Sequence, residues 1–375
     1  MKIACVYDVI YPYVIGGTEK RIWEISKRIA KKGHEVHLFG MKYWAGEDVI
    51  IKEGVYLHGV CEPKELYVDG RRSINPAIYF ASKVLTPLLK GDYDLIDCQG
   101  FSYFPCFSAK ICSALRRIPL LITWCEVWDD YWYEYLGKKG IFGKVIEKTT
   151  THLTDNMIAV SERTKNDLKR IGVKRNIKII PNGIDFEMIR QIKASEEESD
   201  VIFAGRLIKE KNVDVLIKAL KLVKKEVPEV KCKIIGEGPE KSKLENLAYD
   251  LGLESNVEFT GFLGDYNDVI SHMKSSKVLM LPSTREGFGI AALEANACGL
   301  PVVTVNHKMN AVCDFIERDR NGFICELSET DAADNILRGL DEGADMAGSC
   351  IENASRYDWE RIFNLTESMY EEVIS

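Results

Sequence analysis

Two acidic residues, Glu286 and Glu294, are separated by seven residues in the stretch REGFGIAALEANACGLP, which runs from Arg285 to Pro301. The apolar run Val278–Leu281 and a short polar turn precede the stretch. This order predicts a strand, a loop that carries Glu286, and a helix that begins near Gly289. In an open α/β sheet, such a loop and the first turns of the next helix face the crevice where ligands bind. Both carboxylates are therefore candidates for contacting a ligand.

The types of residue in this stretch suit a ligand with hydroxyl groups and a negative charge. Glu294 could accept hydrogen bonds from vicinal hydroxyls, as acidic residues do on a nucleotide ribose, and Glu286 could do the same for a sugar ring. The N–H groups of Phe288, Gly289 and Ile290 would point at an anion. A buried helix with one solvated glutamate gives the same pattern, so the stretch alone leaves both interpretations open.

A second motif, AGRLIKEKN, places positive charge after a predicted strand. Gly205 ends the strand, and Arg206 and Lys211 extend from the loop that leads to the next helix. The N-terminus of a helix favours an anion, and a guanidinium with an ammonium can hold a diphosphate without a metal. A surface arginine and lysine in a turn would look the same in the sequence.

Strands and helices alternate along both halves of the chain, which predicts parallel, doubly wound sheets and an α/β fold. In the first half, a Gly16–Gly17 loop leads to a helix that we expect Thr18 to cap, and Ser161 is expected to cap a later helix. The predicted strands lie near residues 3–7, 35–39, 95–96, 120–123, 157–160, 201–204, 231–235, 257–260, 278–281 and 301–304.

The alternation is interrupted by a polar segment, which predicts a domain boundary between about 175 and 200. A turn at Pro181–Gly183 and the acidic run ASEEESD cannot bury an apolar face. We expect one Rossmann-like domain over residues 1–178 and a second over 179–356. A final amphipathic helix within 357–375 has no strand after it and is expected to pack back on the first domain.

Composition indicates an ordinary cytoplasmic protein. The 375 residues are 46% hydrophobic and 29% charged, and the eleven cysteines form no C-x-x-C pair, which favours reduced thiols. No apolar run reaches the ~18 residues of a membrane span, and no secretion signal is expected. Residues 1–175 carry a balance of +6 and the remainder −13. The densest basic cluster lies on the first helix, which is either a solvated face or a contact for an anionic membrane or acceptor.

Taken together, these motifs resemble a known family. Glu286 and Glu294 form an E-x7-E signature, and with AGRLIKEKN, IIGEGPE, VEFTGFL and the Gly16–Gly17 loop they are similar to the retaining glycosyltransferase family 4 of the GT-B fold. The resemblance covers nearly the whole chain and is strongest from about 180 to 325. It implies two Rossmann-like domains that face a cleft, the first for the acceptor and the second for a sugar-nucleotide donor.

The resemblance also implies a role for each motif residue. Arg206 and Lys211 would bind the donor diphosphate and carry the rate, Glu294 would bind the ribose, and Glu286 the transferred sugar. The same resemblance places further residues on the donor: Gly16 and Gly17 over the phosphates, Gly261 and Phe262 near the base, and Gly205, Phe288, Gly289 and Ile290 along its length.

The implied reaction is a metal-independent, front-face displacement in which the leaving diphosphate helps to deprotonate the acceptor. It would move a hexose-type sugar, from a UDP-sugar above all, to a glycan or lipid-linked acceptor, and it needs no cofactor. Asp92–Asp94 has the D-x-D form of metal-dependent enzymes, but it precedes a strand and is predicted to be a solvated turn. The six histidines show no metal-binding spacing.

One departure from the family pattern lies in TWCEVWDDYW. Cys125 occupies a position where many relatives have a histidine that lines the sugar site. Three possibilities follow from the absence of that histidine: backbone groups make the contact with the sugar, Glu126 or Asp129 takes the role, or activity is reduced. A nucleophilic Cys125 is disfavoured, because nothing nearby in the sequence lowers its pKa. The aromatic run Trp124–Tyr135 suits an acceptor-side loop, either packed, stacked on a sugar or lying against a lipid interface.

Other functions remain as alternatives. A sugar-nucleotide epimerase shares the GT-B architecture, and a non-catalytic sugar-nucleotide-binding protein would be consistent with Cys125. A nicotinamide dehydrogenase is disfavoured, because neither domain opens with G-x-G-x-x-G and a later acidic residue. The expected partners are a nucleotide-sugar donor, a glycan or lipid-linked acceptor and the inner face of an anionic membrane. We expect no nucleic-acid partner, and a monomer or weak homo-oligomer.

Overall fold

A computed structural model of the chain describes residues 1–68 and 71–375. It divides into two compact units, one formed by Met1–Asn182 with Trp359–Ser375 and the other by Gly183–Asp358. Each unit is built on a sheet of mainly parallel strands with helical crossovers. The predicted doubly wound α/β class is therefore confirmed.

The first unit contains an eight-stranded sheet in the order β10-β9-β8-β7-β1-β2-β4-β3. All neighbouring strands are parallel except the β3–β4 hairpin at one edge. A short antiparallel pair, β5 and β6, lies outside this sheet. The elements are β1 Lys2–Val6, α1 Gly17–Lys31, β2 Glu35–Gly40, β3 Val49–Lys52, β4 Val55–Gly59, β5 Tyr67–Val68, β6 Arg71–Arg72, α2 Asn75–Lys90, β7 Leu95–Gln99, α3 Phe104–Arg116, β8 Leu120–Trp124, α4 Tyr131–Leu136, α5 Gly140–Thr150, β9 Asn156–Ala159, α6 Glu162–Arg170, β10 Lys178–Ile179 and the closing helix α13 Trp359–Ile374.

The central strands are buried on both faces, which explains why they form continuous apolar runs in the sequence. In β1, Ile3 and Cys5 pack into one core cluster, and Ala4 and Val6 pack into another on the opposite face. The first of these clusters also contains Trp359, from the beginning of α13. The last helix of the chain therefore completes the core that the first strand begins.

The second unit contains a six-stranded parallel sheet in the order β13-β12-β11-β14-β16-β18. The two-residue strands β15 and β17 form a separate parallel pair. The elements are α7 Phe186–Gln191, β11 Val201–Ala204, α8 Val213–Val223, β12 Cys232–Ile235, α9 Lys241–Asp250, β13 Val257–Gly261, α10 Tyr266–Lys274, β14 Val278–Leu281, β15 Arg285–Glu286, α11 Ile290–Ala297, β16 Val302–Val305, β17 Met309–Asn310, β18 Gly322–Cys325 and α12 Glu329–Ser355.

Helix α13 neutralises part of the basic cluster on α1. Arg28 Nε donates to Glu360 at 2.7 Å, and Lys32 Nζ donates to Glu367 at 2.6 Å. A further member of the cluster, Arg21, is buried and donates to the carbonyl of Pro181. Part of the basic cluster on α1 thus has acceptors within the first unit.

A buried hydrogen bond holds α13 on the sheet. The hydroxyl of Tyr370 donates to Asp97 Oδ2 at 2.5 Å, and Thr123 Oγ1 donates to the other carboxylate oxygen at 3.1 Å. Burial raises the pKa of Asp97, and these two hydrogen bonds oppose that rise. Tyr370 thus supplies one of the two donors that make the buried carboxylate tolerable.

We predict that Tyr370→Phe lowers the free energy of unfolding of the first unit by about 1–3 kcal/mol, because a buried acceptor loses its partner. All six tryptophans lie in this unit, so urea unfolding followed by tryptophan fluorescence measures it selectively. Tyr249→Phe is the matched control, since Tyr249 is exposed, and it should change stability by less than about 0.5 kcal/mol. Equal effects of the two substitutions would show that the bond to Asp97 contributes nothing.

Candidate functional site

The two charged motifs of the second unit meet in an ion pair. Lys211 Nζ contacts Glu286 Oε1, and their side chains are only 15% and 12% exposed. Lys211 ends the 3-10 turn Lys209–Lys211, which follows β11, and Glu286 ends β15, which follows β14. Since β11 and β14 are neighbours in the sheet, their carboxyl-end loops lie side by side. The structure thus brings together two of the residues predicted to bind one ligand.

Asn212 fastens the two loops together. Its backbone has a φ of 47°, a left-handed conformation that asparagine tolerates better than most residues. Its Nδ2 donates to the carbonyl of Pro282 at 3.0 Å and to Thr284 Oγ1 at 3.1 Å. The N–H of Thr284 in turn donates to the carbonyl of Glu210 at 2.9 Å. Asn212 is the last residue of AGRLIKEKN, but no pattern in the sequence indicates this role.

Asn310 supports Glu286 from the other side. The two residues are register partners in the β15–β17 pair. Asn310 is completely buried, and its Nδ2 donates to Thr304 Oγ1 at 2.9 Å and to the carbonyl of Val305 at 2.8 Å. From the sequence, the segment Asn306–Ala311 that contains Asn310 could either line the donor site or pack as a loop. In the structure this residue is a positioning residue for the strand that carries Glu286.

Glu294 is buried on α11 and has a defined partner. The hydroxyl of Tyr266 donates to Glu294 Oε1 at 2.6 Å. Burial, followed by the charge of Glu294, raises the pKa of Tyr266 well above its ordinary value, so the tyrosine stays a donor. Tyr266 was not identified from the sequence, because no local pattern shows that the first turn of α10 reaches α11.

Gly289 is required at the start of α11 for two reasons. Its φ is 88°, which a residue with a side chain rarely adopts, and a Cβ there would overlap the side chain of Val312. The first N–H groups of α11, beginning with Ile290, have no acceptors within the helix and can receive a ligand. The ring of Phe288, in contrast, is buried against Phe315 and Tyr357. Only its backbone can take the predicted ligand-facing role.

The loops around Arg206 pack backbone against backbone. A Cβ on Gly236 would overlap the carbonyl of Gly205, and a Cβ on Gly238 would overlap that of Leu207. The glycines of IIGEGPE therefore support AGRLIKEKN, while Arg206 itself is exposed.

The predicted base-contacting residues lie at the end of β13, the strand beside β12: Gly261 is its last residue and Phe262 follows it. Gly261 has a φ of 74°, and a Cβ there would approach Glu237 Oε1 to 2.8 Å. The side chain of Phe262 is 60% exposed, an unusual position for a large apolar ring. A flat, accessible ring is available for stacking on a planar ligand group.

Cys125 in the first unit is a half-buried thiol. Burial raises its pKa to about 11, although a hydrogen bond from Thr18 and the charge of Arg21 oppose the rise. The thiol is therefore protonated at neutral pH and is a poor nucleophile. Thr18 is the second residue of α1, and its Oγ1 donates to Cys125 Sγ at 3.4 Å. The prediction that Thr18 caps α1 is therefore wrong. Gly16 is at the cap position and Gly17 begins the helix, whereas the predicted Ser161 cap of α6 is confirmed.

The acidic candidates beside Cys125 differ in their surroundings. Glu126 is half-buried directly after it. Asp129 forms ion pairs with Lys144 at 2.9 Å and with Arg170 at 3.7 Å, and its N–H donates to the buried Glu147. Asp129 is thus held within the first unit by its neighbours.

The aromatic run that contains these residues is mostly core. Trp124, Trp128 and Trp132 are buried, and the rings of Trp128 and Trp132 pack 4.6 Å apart. Residues Tyr131–Leu136 form α4, in which Trp132 is buried and Tyr133 is exposed. Of the interpretations that the sequence allowed, the packed one describes these three tryptophans.

The described residues, 1–68 and 71–375, contain no group of three or more His, Cys, Asp or Glu side chains placed to hold a metal ion. In the same ranges, no helix is both long enough and apolar enough to cross a membrane. Asp92 and Asp94 precede β7; Asp92 is exposed and Asp94 accepts from the N–H of Lys2 at 2.6 Å.

Two family models together match nearly the whole chain. Residues 15–188 match the family described as Glycosyltransferase Family 4, and residues 185–357 match Glycosyl transferases group 1. An uncharacterized glycosyltransferase of Haemophilus influenzae is 30% identical over 332 residues, which cover 87% of this chain and 86% of the relative.

Two solved structures share the fold. Sucrose-phosphate synthase from Thermosynechococcus elongatus matches with a TM-score of 0.83 at 19% identity, covering 99% of this chain and 98% of that one. Anabaena HepE, in complex with UDP and glucose, matches with a TM-score of 0.76 at 21% identity, covering 99% of this chain and 100% of that one.

We predict that Gly289→Ala destabilises the second unit by about 2–4 kcal/mol. The cost of a left-handed backbone conformation adds to the cost of an overlap with Val312. In a Val312→Ala background, the cost of the same substitution should fall to about 1–2 kcal/mol, since only the backbone term remains. Urea unfolding followed by far-ultraviolet circular dichroism measures both. An unchanged cost in the second background would mean that Val312 does not lie against Gly289.

Proposed function

Since the chain belongs to glycosyltransferase family 4 and has the GT-B fold, we propose that it transfers a hexose-type sugar from a nucleotide diphosphate sugar to a glycan or lipid-linked acceptor, with retention of the anomeric configuration. The observation that carries the proposal is the largely buried pair Lys211–Glu286. It joins a cation suited to a diphosphate with a carboxylate suited to sugar hydroxyls, within one unit.

The donor would lie along the carboxyl ends of β11 and β14. Arg206 and Lys211 would contact the diphosphate, Glu286 the hexose, and Glu294 the ribose hydroxyls. The exposed ring of Phe262 is suited to stacking on the base. UDP is the favoured nucleotide, because UDP-sugars are the commonest donors of the family and Anabaena HepE, of the same fold, holds UDP and glucose.

In the reaction that we propose, the bond between the anomeric carbon and the diphosphate oxygen breaks. The acceptor oxygen forms its bond on the same face of the sugar, and its proton passes to the departing diphosphate. The chain then needs cations where negative charge develops, and it needs no nucleophile. The protonated thiol of Cys125 is compatible with this requirement. Two cationic side chains near the diphosphate would replace a divalent metal.

Titration calorimetry with UDP, GDP, ADP and their hexose conjugates, with and without magnesium, tests the proposal. Metal-independent binding of one nucleotide is expected, followed by product analysis in an acceptor screen. An axially or equatorially linked product with the donor's own anomeric configuration supports retention. An epimerised donor, or a bound donor that stays unchanged with every acceptor, would favour the epimerase or the non-catalytic binding protein instead.

We predict that Glu294→Ala weakens UDP binding by about 1–3 kcal/mol, because the ribose hydroxyls lose their acceptor. Tyr266→Phe is the matched control: it removes the same tyrosine–glutamate bond but keeps the carboxylate, so its effect on UDP affinity should be clearly smaller. Calorimetric titration compares both with the wild type. Equal losses in the two variants would reduce Glu294 to a structural partner of Tyr266.

We predict that Arg206→Ala lowers the rate of UDP release from the UDP-hexose that binds by roughly 100-fold, on the order of 3 kcal/mol, because charge that develops on the diphosphate loses a donor. Lys209→Ala is the control, since Lys209 is an exposed cation in the same loop. A stopped assay for free UDP measures both. Equal rates in the two variants would remove Arg206 from the catalytic role.

A further inference from the structure

The first unit contains an apolar cavity that the donor site does not use. Its volume is about 210 Å³. An engineered apolar cavity of about 150 Å³ is large enough to bind benzene, so this one can hold a ring or a hydrocarbon segment of several carbons. Its walls are dominated by large apolar side chains from the α3, α4 and α5 region, among them Phe101, Phe104, Trp128, Trp132, Leu136 and Ile146.

Several polar groups around the cavity have partners in the protein, whereas the indole N–H of Trp132 has no acceptor there. Arg72 NH2 donates to both carboxylate oxygens of Asp8, at 2.9 and 2.8 Å. The hydroxyl of Tyr103 donates to Glu147 at 2.7 Å, and that of Tyr135 donates to the carbonyl of Arg72 at 2.8 Å. A sugar placed here would lose many hydrogen bonds to water and would find few unoccupied groups in the cavity to replace them, which is unfavourable. A hydrocarbon makes no hydrogen bonds to water, so it loses none on entering.

One wall of the cavity is also an exposed apolar surface. Phe142 lines the cavity, and its side chain is 70% exposed. Ile141 and Val145, on the same helix α5, are 46% and 56% exposed. Three large apolar side chains within five residues of one helix form a surface that water does not favour.

The same segment is basic. Residues 137–150 contain four lysines, and their one acidic residue, Glu147, is buried and occupied by hydrogen bonds. Lys138, Lys139 and Lys148 are exposed beside the apolar side chains. A helix with exposed aromatic and aliphatic residues and flanking lysines is typical of segments that lie in the interface of an anionic membrane.

We propose that this cavity binds the hydrocarbon chain of a membrane-lipid acceptor, which enters past Phe142 while α5 lies against an anionic lipid surface. The acceptor of the transfer reaction is then a lipid, an inference that rests on the proposed function. It assigns the membrane contact to α5, in place of the basic face of α1, whose Arg28 and Lys32 pair with α13.

The test of the cavity uses cis-parinaric acid, a fatty acid that fluoresces in apolar surroundings, titrated into the full chain. Saturable binding is expected, with quenching of tryptophan emission by energy transfer. Ala77→Phe fills the cavity from a buried position, and Ile146→Trp fills it from a half-buried one that can shift more easily. Each filled variant should raise the Kd at least about tenfold, because the chain loses its apolar contacts.

The test of the entry surface compares Phe142→Ser with Tyr249→Ser, which removes an equally exposed aromatic side chain from the second unit. Sedimentation with vesicles of equal parts phosphatidylcholine and phosphatidylglycerol should fall for the first variant and stay at the wild-type level for the second. Vesicles of phosphatidylcholine alone should bind the wild type more weakly.

Three outcomes overturn the inference: a wild-type chain that shows no saturable binding of the fatty acid, a filled variant that binds it as tightly as the wild type, or equal sedimentation of Phe142→Ser and Tyr249→Ser. Calorimetric titration of the same wild-type preparation with UDP separates this failure from that of the proposed function. UDP binding without fatty-acid binding rejects only the lipid acceptor, whereas fatty-acid binding without nucleotide binding rejects the transferase mechanism.

Discussion

The ion pair between Lys211 and Glu286 is the interaction on which the architecture of the second unit's site depends. Two charges withdrawn from water are tolerable only while they remain together, because a lone buried charge carries a large desolvation cost. Both loops must therefore be held in register. Asn212 ties them together through Pro282 and Thr284, and the β15–β17 pair holds Glu286 in place.

Close backbone packing is the second device that builds the site. Gly236 and Gly238 allow one loop to lie on another, and Gly289 turns the chain into α11 where a side chain would meet Val312. The consequence is that N–H groups, with no flexible side chains in front of them, can approach a ligand. Such donors do not have to reorganise when charge develops, which is the condition for effective electrostatic stabilisation.

Much of this could be predicted from the sequence, for an identifiable physical reason. The central strands are buried on both faces, so they form short apolar runs between turns, and β14 was predicted residue for residue at Val278–Leu281. Helix α12 was not predicted, because Gly339 and Gly343 interrupt its pattern. The structure shows that these two glycines let the helix approach the sheet, near Val278 and Pro301.

The residues that support the site were harder to predict than the residues that form it. Charged motif residues such as Lys211 are conspicuous by type, whereas Tyr266 and Asn310 act through contacts between segments that are distant in the sequence. The apolar cavity was missed for the same reason. The aromatic run Trp124–Tyr135 indicated a special surface, but only packing decides that three tryptophans turn inward and that the exposed apolar face belongs to α5.

The return of α13 to the first unit has a consequence for how the chain is made. Residues 183–358 are synthesised as one uninterrupted stretch, so the second unit can fold as soon as it leaves the ribosome. Synthesis of the first unit begins before that of the second, yet Trp359 and Tyr370 of its core are made only after the second unit. Until they arrive, Asp97 and the apolar face around β1 stay uncovered. The half of the protein that is begun first is therefore the half that is finished last.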